Sequence, residues 1–121
     1  MGSVIREIVL DCIDPKAVAQ FWGDVLGWDL HQEGEWYWMA APGADESRDL
    51  ALVFLQVPER KTSKNRIHID VSPVGCSQAD ELARLKSLGA VETDVGQGET
   101  PWVVLADPEG NEFCLLGRRV D

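Results

Sequence analysis

The sequence repeats one order of elements twice. In each half, a strand leads into a helix that ends at a Leu-Gly pair, and further strand candidates follow. Leu26-Gly27 corresponds to Leu88-Gly89, and Glu7 corresponds to His68, an offset of 61 to 62 residues. Because an internal repeat fixes the architecture of a chain, two βαβββ modules are predicted. A half of about 55 residues buries too little apolar surface to fold alone, so the modules are expected to pair.

The first module is predicted over about 4–57. Residues 4–13 are predicted to form a strand whose side chains alternate between two faces. Asp14 is a candidate helix N-cap, and Pro15 follows it at the first helical position. Gly27 is expected to end this helix. The remaining strand candidates of the module are 28–32, 35–41 and 50–57.

The second module is predicted over about 66–117, after a linker at 58–65, and the whole chain, 1–121, is expected to form one domain. Its first strand covers 66–72, and its helix covers roughly 77–88, with a leucine-rich apolar face. Residues Asp107-Pro108-Glu109-Gly110 are typical of a hairpin turn. The strand candidates that follow the helix are 90–95, 101–106 and 111–117.

The predicted fold class is α+β, with two βαβββ modules in tandem. The helices are expected to cover the outer faces of the sheets, and the other faces to form a concave cup. The first strand of each module places polar side chains on that inner face: Glu7 and Asp11 in one module, His68 and Asp70 in the other. Ionisable groups on a partly buried sheet are costly unless solvated, paired or metal-bound. A solvated face remains an alternative, particularly for Asp11 and Asp70, which neighbouring Arg or Lys side chains can neutralise.

Charge excludes some classes of partner. The chain has 11 Lys and Arg against 21 Asp and Glu, a net charge of −10. Nucleic acid and anionic membranes are recognised by positive surfaces, so neither is an expected partner. The basic residues Arg60, Lys61, Lys64 and Arg66 cluster only in and beside the linker. With no long apolar run and no signal-peptide pattern at the N-terminus, a cytoplasmic location is expected.

Several common site motifs are missing from the sequence. The three cysteines, Cys12, Cys76 and Cys114, are odd in number and form no CxxC, so no disulfide framework or zinc knuckle is indicated. The sequence contains neither a P-loop, nor a GxGxxG motif, nor a GxSxG elbow. The candidate chemistry therefore lies with the polar face of the sheets.

With these elements in place, the chain resembles the vicinal oxygen chelate superfamily, which includes glyoxalase I, bleomycin-resistance proteins and extradiol dioxygenases. The resemblance extends from about residue 4 to 117 and is strongest to compact glyoxalase-like proteins common in actinobacteria. The segments that carry it are Asp14-Pro15, the helix end Phe21-Trp22-x-x-x-Leu26-Gly27-Trp28, the strand 66–70, the step Leu88-Gly89-Ala90 and the run 107–113.

The resemblance implies a homodimer with a small-molecule pocket in each cup of sheet. Members of the superfamily are metal-dependent lyases, isomerases, epimerases and dioxygenases, or metal-free proteins that sequester a drug. The expected function is therefore metal-assisted lyase or isomerase chemistry on a substrate with two adjacent oxygens. The alternative is metal-free binding of a small molecule.

The family's metal positions fall on the first and last strands of each module. Carried over, they are Glu7 and His68 on the first strands and Cys114 on the last strand of module two. In module one the position falls at Phe54 or Gln56, depending on where a gap is placed when the segment is matched to the family pattern. With Gln56, the metal set is Glu7, Gln56, His68 and Cys114. Such a set suits a divalent ion such as Zn²⁺, Ni²⁺, Fe²⁺ or Mn²⁺, with thiolate favouring zinc. Glu7 and His68 are also the predicted catalytic residues, as proton shuttle and fixed ligand or as an acid–base pair.

Aromatic side chains are the candidates for ligand binding. The chain has 5 Trp, and Trp36 and Trp38 share one face of a strand. Stacked tryptophans hold flat or cationic ligands, and the negative charge favours a cation. Packing in the core or at a dimer interface is the alternative. The predicted lining residues are Trp36, Trp38, Phe54 and Trp102.

Overall fold

The computed structural model describes residues 1–45 and 49–121 and divides the chain into two compact units. The first unit is Met1–Arg60 and the second is Lys61–Asp121. Their boundary lies within the segment predicted as a linker. Among the described residues, no helix is both long and apolar enough to cross a bilayer.

The first unit is a four-stranded mixed sheet with one helix. Strand β1 pairs in parallel with β4, and the β4–β3 and β3–β2 pairs are antiparallel, in the order β1-β4-β3-β2. The elements are β1 (Glu7–Cys12), α1 (Pro15–Leu26), β2 (Leu30–Glu33), β3 (Trp36–Ala40) and β4 (Ala51–Gln56).

Helix α1 begins and ends where the sequence predicts. The Asp14 carboxylate accepts a hydrogen bond from the backbone N–H of Ala17, and Pro15 occupies the first turn. Gly27 adopts a left-handed conformation with φ of +69°, which glycine reaches without the strain of a Cβ. The buried side of the helix includes Val18 and Trp22, which are 0% and 1% exposed.

The first sheet has two chemically different faces. One face packs against α1 and contains Met39 and Phe54, both 0% exposed. Because neighbouring residues of a strand point to opposite faces, Glu7, Ala51 and Val53 belong to the other face. This second face also carries Trp38, which stands opposite Val53.

The second unit repeats the topology of the first, with strand order β5-β8-β7-β6 and a parallel β5–β8 pair. This repetition confirms the two βαβββ modules. The elements are β5 (Ile69–Val71), α2 (Gln78–Ser87), β6 (Val91–Glu92), β7 (Val103–Ala106) and β8 (Glu112–Leu115).

Strand β5 is shorter than the predicted 66–72. Its pairing with β8 begins only at Ile69 opposite Phe113, so His68 lies just before the strand. Ile67 is 80% exposed and contributes nothing to the core. The predicted strand is therefore too long, and only Ile69–Val71 pair with β8.

Short-range hydrogen bonds cap the elements of the second unit. Ser77 caps α2 by accepting a hydrogen bond from the backbone N–H of Asp80. The buried carboxylate of Asp107 accepts backbone hydrogen bonds from Glu109 and Asn111, each at 2.9 Å. These bonds close the predicted hairpin turn between β7 and β8.

Candidate functional site

Three potential metal ligands of different chemistry meet in the second unit. One ligand atom each from His68, Asp70 and Cys114 lies within 4.8 Å of the others. His68 Nδ1 is 3.2 Å from Asp70 Oδ1, and Cys114 Sγ is 3.9 Å from His68 Nδ1. We call these three residues the second-unit cluster.

The strand register explains why the second-unit cluster forms. Asp70 on β5 stands directly opposite Cys114 on β8, so both side chains leave the same face of the sheet. His68 lies just before β5, and its ring approaches both side chains. The sequence predicts His68 and Cys114 as ligands, and the structure adds Asp70.

Burial sets the state of the thiol in the second-unit cluster. Cys114 is 7% exposed, whereas the side chains of His68 and Asp70 are each 46% exposed. Burial, followed by the charge and hydrogen bonding of Asp70, raises the pKa of the Cys114 thiol. Without an added positive charge, this thiol keeps its proton and is a poor nucleophile.

A cavity of about 370 Å³ opens over the second-unit cluster. Trp102, one of the predicted ligand-binding residues, lines this cavity and is 39% exposed. A ligand in the cavity therefore contacts both polar and apolar side chains. The remaining lining residues are Lys64, Val95, Gln97, Val104, Glu112 and Leu116.

Glu112 anchors the basic segment next to the cavity. Its carboxylate accepts hydrogen bonds from Lys61 Nζ at 2.8 Å and from the backbone N–H of Asn65 at 2.9 Å. Burial acts to raise the pKa of Glu112, but the Lys61 and Asn65 hydrogen bonds outweigh it and lower the pKa overall. The sequence suggests a solvated linker here, whereas the structure ties residues 61–65 to β8 and places Lys64 at the cavity.

The first unit has a separate cavity of about 540 Å³, which we call the first-unit cavity. Three predicted site residues, Glu7, Trp36 and Trp38, line it. Its further lining residues are Arg6, Asp29, His31, Glu33, Ala40, Ala41, Pro42, Gly43, Ala44, Asp45, Asp49, Ala51 and Val53.

Small residues create the first-unit cavity. Ala40 on β3 stands opposite Ala51 on β4, and Ala51 stands opposite Glu7 on β1. In the adjacent row the larger Trp38 stands opposite Val53. The two alanine methyl groups leave a hollow in the sheet surface that the neighbouring side chains enclose.

A histidine missed by the sequence analysis forms part of this wall. The rings of His31 and Trp38 stack with centroids 4.4 Å apart and an interplanar angle of 23°. His31 stands opposite Trp38 in the β2–β3 ladder, and Glu33 stands opposite Trp36. The alternation of His31 and Glu33 on a short strand was the available signal, but only the register assigns them to the tryptophan face.

Two predicted site residues lie on the wrong face of β4. Phe54 is opposite Leu10 in register and is 0% exposed, so it is a core residue and does not line the cavity. Gln56 is opposite Cys12, and its side-chain amide donates to the carbonyl of Ile13 at 3.5 Å. The assignment of either residue to a site with Glu7 is therefore wrong, because a one-residue shift in a strand reverses the side chain.

Val53 takes the place that Phe54 or Gln56 was expected to fill. It stands opposite Val9, as Cys114 stands opposite Asp70 in the second unit. In the first unit the counterparts of His68, Asp70 and Cys114 are thus Glu7, Val9 and Val53. Within the described residues, a group of three metal-ligating side chains is found only in the second unit.

Two separations in the second-unit cluster resemble those between the ligand atoms of a tetrahedral divalent ion. Ligand atoms about a zinc ion lie roughly 3.3–3.8 Å apart, given bond lengths of about 2.0–2.3 Å. The 3.2 and 3.9 Å separations are close to that range. Catalytic zinc sites use three protein ligands and leave a position open for water or substrate, and a thiolate favours zinc over harder ions.

Comparison with known proteins places the chain in a family. The family model described as a glyoxalase-like domain matches residues 7–116. The chain therefore belongs to the glyoxalase-like domain family, within the vicinal oxygen chelate superfamily. No match was found among the curated proteins.

Solved structures share the fold at low sequence identity. A variant of the fosfomycin resistance protein FosX from Listeria monocytogenes, in complex with Mn(II) and 1S,2S-dihydroxypropylphosphonic acid, is 17% identical, with a TM-score of 0.67 and coverage of 97% of this chain and 91% of that one. A glyoxalase/bleomycin resistance protein/dioxygenase family enzyme from Burkholderia phytofirmans PsJN is 12% identical, with a TM-score of 0.69 and coverage of 98% and 100%. Oxidase ChaP-H2 is 19% identical, with a TM-score of 0.63 and coverage of 99% and 97%.

Proposed function

We propose that this chain is a metal-dependent enzyme of the lyase or isomerase type, acting on a small molecule with two adjacent oxygen atoms. The second-unit cluster is the observation that carries the proposal, since it brings nitrogen, oxygen and sulfur ligands within 4.8 Å at a cavity. Mn(II) in one structural neighbour supports metal use in this fold, although that ligand set belongs to the neighbour.

His68, Asp70 and Cys114 would hold the ion, with Zn²⁺ preferred because a thiolate is a soft ligand. When bound, a divalent ion supplies a Lewis acid that stabilises negative charge on a substrate oxygen. Binding requires the thiol to lose its proton, so the ion must compete with that proton. Trp102 and Val104 provide an apolar wall beside the polar ligands.

Glu7, which the family resemblance makes a catalytic residue, is proposed not to bind the ion. It is an exposed carboxylate that lines the first-unit cavity. It does not belong to the three-ligand group found among the described residues. Glu7→Gln is therefore expected to leave the metal content unchanged. A loss of bound metal in this variant would instead make Glu7 a ligand.

Metal content of protein purified without an affinity tag or chelator tests the proposal. After incubation in turn with Zn²⁺, Ni²⁺, Fe²⁺ and Mn²⁺, we expect about one ion per chain, with zinc retained best. Cys114→Ser, His68→Ala and Asp70→Asn should each reduce retention, while Cys76→Ser, a cysteine of the same unit outside the cluster, should not. Failure to retain any ion, or equal retention in all variants, would overturn the proposal.

The second candidate function is small-molecule binding without a metal, and the first-unit cavity favours it. This cavity has about 540 Å³, aromatic walls and no three-ligand group among the described residues. Saturable binding of an organic ligand, weakened by Trp38→Ala and unchanged by removal of metal, would support this candidate. Ligand binding that requires the metal would contradict it.

A further inference from the structure

The charge and shape of the first-unit cavity together select one class of ligand. Five carboxylates line it, from Glu7, Asp29, Glu33, Asp45 and Asp49. Arg6 is the only Arg or Lys among the described lining residues, and it already has a bonding partner. A cavity walled by groups of one sign focuses the electrostatic potential and attracts the opposite charge.

Three of these carboxylates have their charge available to a ligand. Within the described part of the chain, Glu7, Asp29 and Glu33 form neither an ion pair nor a side-chain hydrogen bond. All three are exposed, so solvation permits their charge while the cavity is empty. Asp49 differs, because it accepts a hydrogen bond from the backbone N–H of Asp45.

The aromatic wall of the same cavity favours a flat ligand. Trp38 is half-buried and already stacked against His31, which fixes its ring plane. Trp36 lies two residues away on the same face, opposite Glu33 on the neighbouring strand. An indole face attracts a cation directly, and Trp is the strongest of the aromatic residues in this respect.

A metal ion fits the first-unit cavity less well than an organic cation. The only three-ligand group among the described residues is in the second unit. The two alanines that form the floor, Ala40 and Ala51, offer methyl groups to a ligand. The cavity thus combines an apolar floor, aromatic walls and a surplus of carboxylates.

We propose that the first-unit cavity binds a planar organic cation, with its ring against Trp36 and Trp38 and its charge facing Glu7, Asp29 and Glu33. This inference rests on the second candidate function and deepens it by naming the ligand class. It is independent of the metal proposed for the second unit.

The test compares two probes of nearly equal shape, 1-methylquinolinium, which is always a cation, and quinoline, which is neutral at neutral pH. Isothermal titration calorimetry is expected to show saturable binding of the cation and binding of quinoline weaker by about tenfold. High salt should weaken binding of the cation but not of quinoline, because salt screens the charge of solvent-exposed carboxylates. Equal affinity for both probes would overturn the ligand class while leaving small-molecule binding intact, and no saturable binding of the cation would overturn the inference.

Variants on the exposed edge of the sheet avoid damage to the core. Glu33→Gln should weaken binding of the cation about threefold. His31→Ala, which frees the Trp38 ring, should weaken that binding by a similar factor. Glu35→Gln and Gln32→Ala are matched controls, since both residues are exposed neighbours that do not line the cavity. An equal effect of Glu33→Gln and Glu35→Gln would mean that the cation follows overall charge and would contradict the site.

The same variants separate the two functional proposals. His31→Ala and Glu33→Gln are expected to keep the metal content of the unmodified chain. Unmodified protein that retains metal but does not bind 1-methylquinolinium would refute the cation site alone. Unmodified protein that binds the cation but retains no metal would refute the metal centre alone.

Discussion

At the scale of single residues, the second-unit cluster depends on a few exact placements. Cys114 is buried and Asp70 is half-exposed, yet their strands place them directly opposite each other. A thiol with a raised pKa beside a carboxylate is a pair that a divalent cation would stabilise, because the ion favours both anions. In the proposed metal centre, the buried cysteine would bind the ion through its thiolate.

Glu112 gives a prediction at the same scale. Its lowered pKa means that its contribution to stability is complete above the ordinary carboxyl value of about 4.3 and is lost as pH falls through the folded-state value. Glu112→Gln should therefore lower the free energy of unfolding by about 1 kcal/mol at neutral pH.

Urea unfolding at a series of pH values checks the Glu112 prediction. The difference between Glu112→Gln and the unmodified chain should shrink as the pH is lowered. Glu99→Gln is the control, since Glu99 is an exposed carboxylate of the same unit. A difference that stays constant across the acid range would show that the charge of Glu112 is not what anchors the 61–65 segment.

At the scale of elements, β4 decides which residues reach the first-unit cavity. Its residues alternate between the α1 side, which includes Phe54, and the cavity side, which includes Ala51 and Val53. The same alternation on β3 separates the buried Met39 from Trp38. One register thus fixes both the core and the cavity wall.

The placement of Phe54 gives a prediction for this element. Phe54→Ala should lower the free energy of unfolding by about 3–5 kcal/mol, because it leaves a cavity against α1. Gln56→Ala should change it by less than about 0.5 kcal/mol. Chemical denaturation measures both, and Phe54→Leu, expected to cost less than about 1.5 kcal/mol, serves if the alanine variant does not fold. A near-zero cost for both Phe54 variants would contradict the core position.

Sequence alone predicts most of this fold and part of the site. The caps at Asp14 and Gly27 and the repeated element order are local signals, and the structure confirms them. The site residues of β4 depend on register across a long connection from β3, which periodicity does not fix. For Asp70, the sequence favours a carboxylate that is solvated or paired with a basic side chain. Its position opposite Cys114 is what makes it a candidate ligand.

At the scale of the whole chain, the two modules share a topology but differ in chemistry. The second unit holds the three potential metal ligands, and the first holds the larger, carboxylate-rich cavity. Equivalent strand positions carry Val9 and Val53 in one unit and Asp70 and Cys114 in the other. A duplicated scaffold can thus hold different sites, because function resides in the side chains placed on the fold.

The family resemblance predicts a homodimer, and the molecule's surface is consistent with association. Large apolar side chains are exposed before and within β1, an edge strand of its sheet: Val4, Ile5, Ile8 and Val9. Sedimentation equilibrium should give about twice the chain mass of 13.4 kDa at micromolar concentration. A single species at the chain mass over that range would contradict the dimer.

The central claim is that a divalent metal is bound by the Cys114 thiolate together with His68 and Asp70. The absorption spectrum of the Co²⁺-loaded protein tests this claim most directly. Cobalt takes the tetrahedral sites of zinc, and a bound thiolate adds an intense charge-transfer band in the near ultraviolet. We predict this band in the unmodified protein and in Cys76→Ser, and its loss in Cys114→Ser. A cobalt spectrum without the band, or one that survives Cys114→Ser, would contradict the claim.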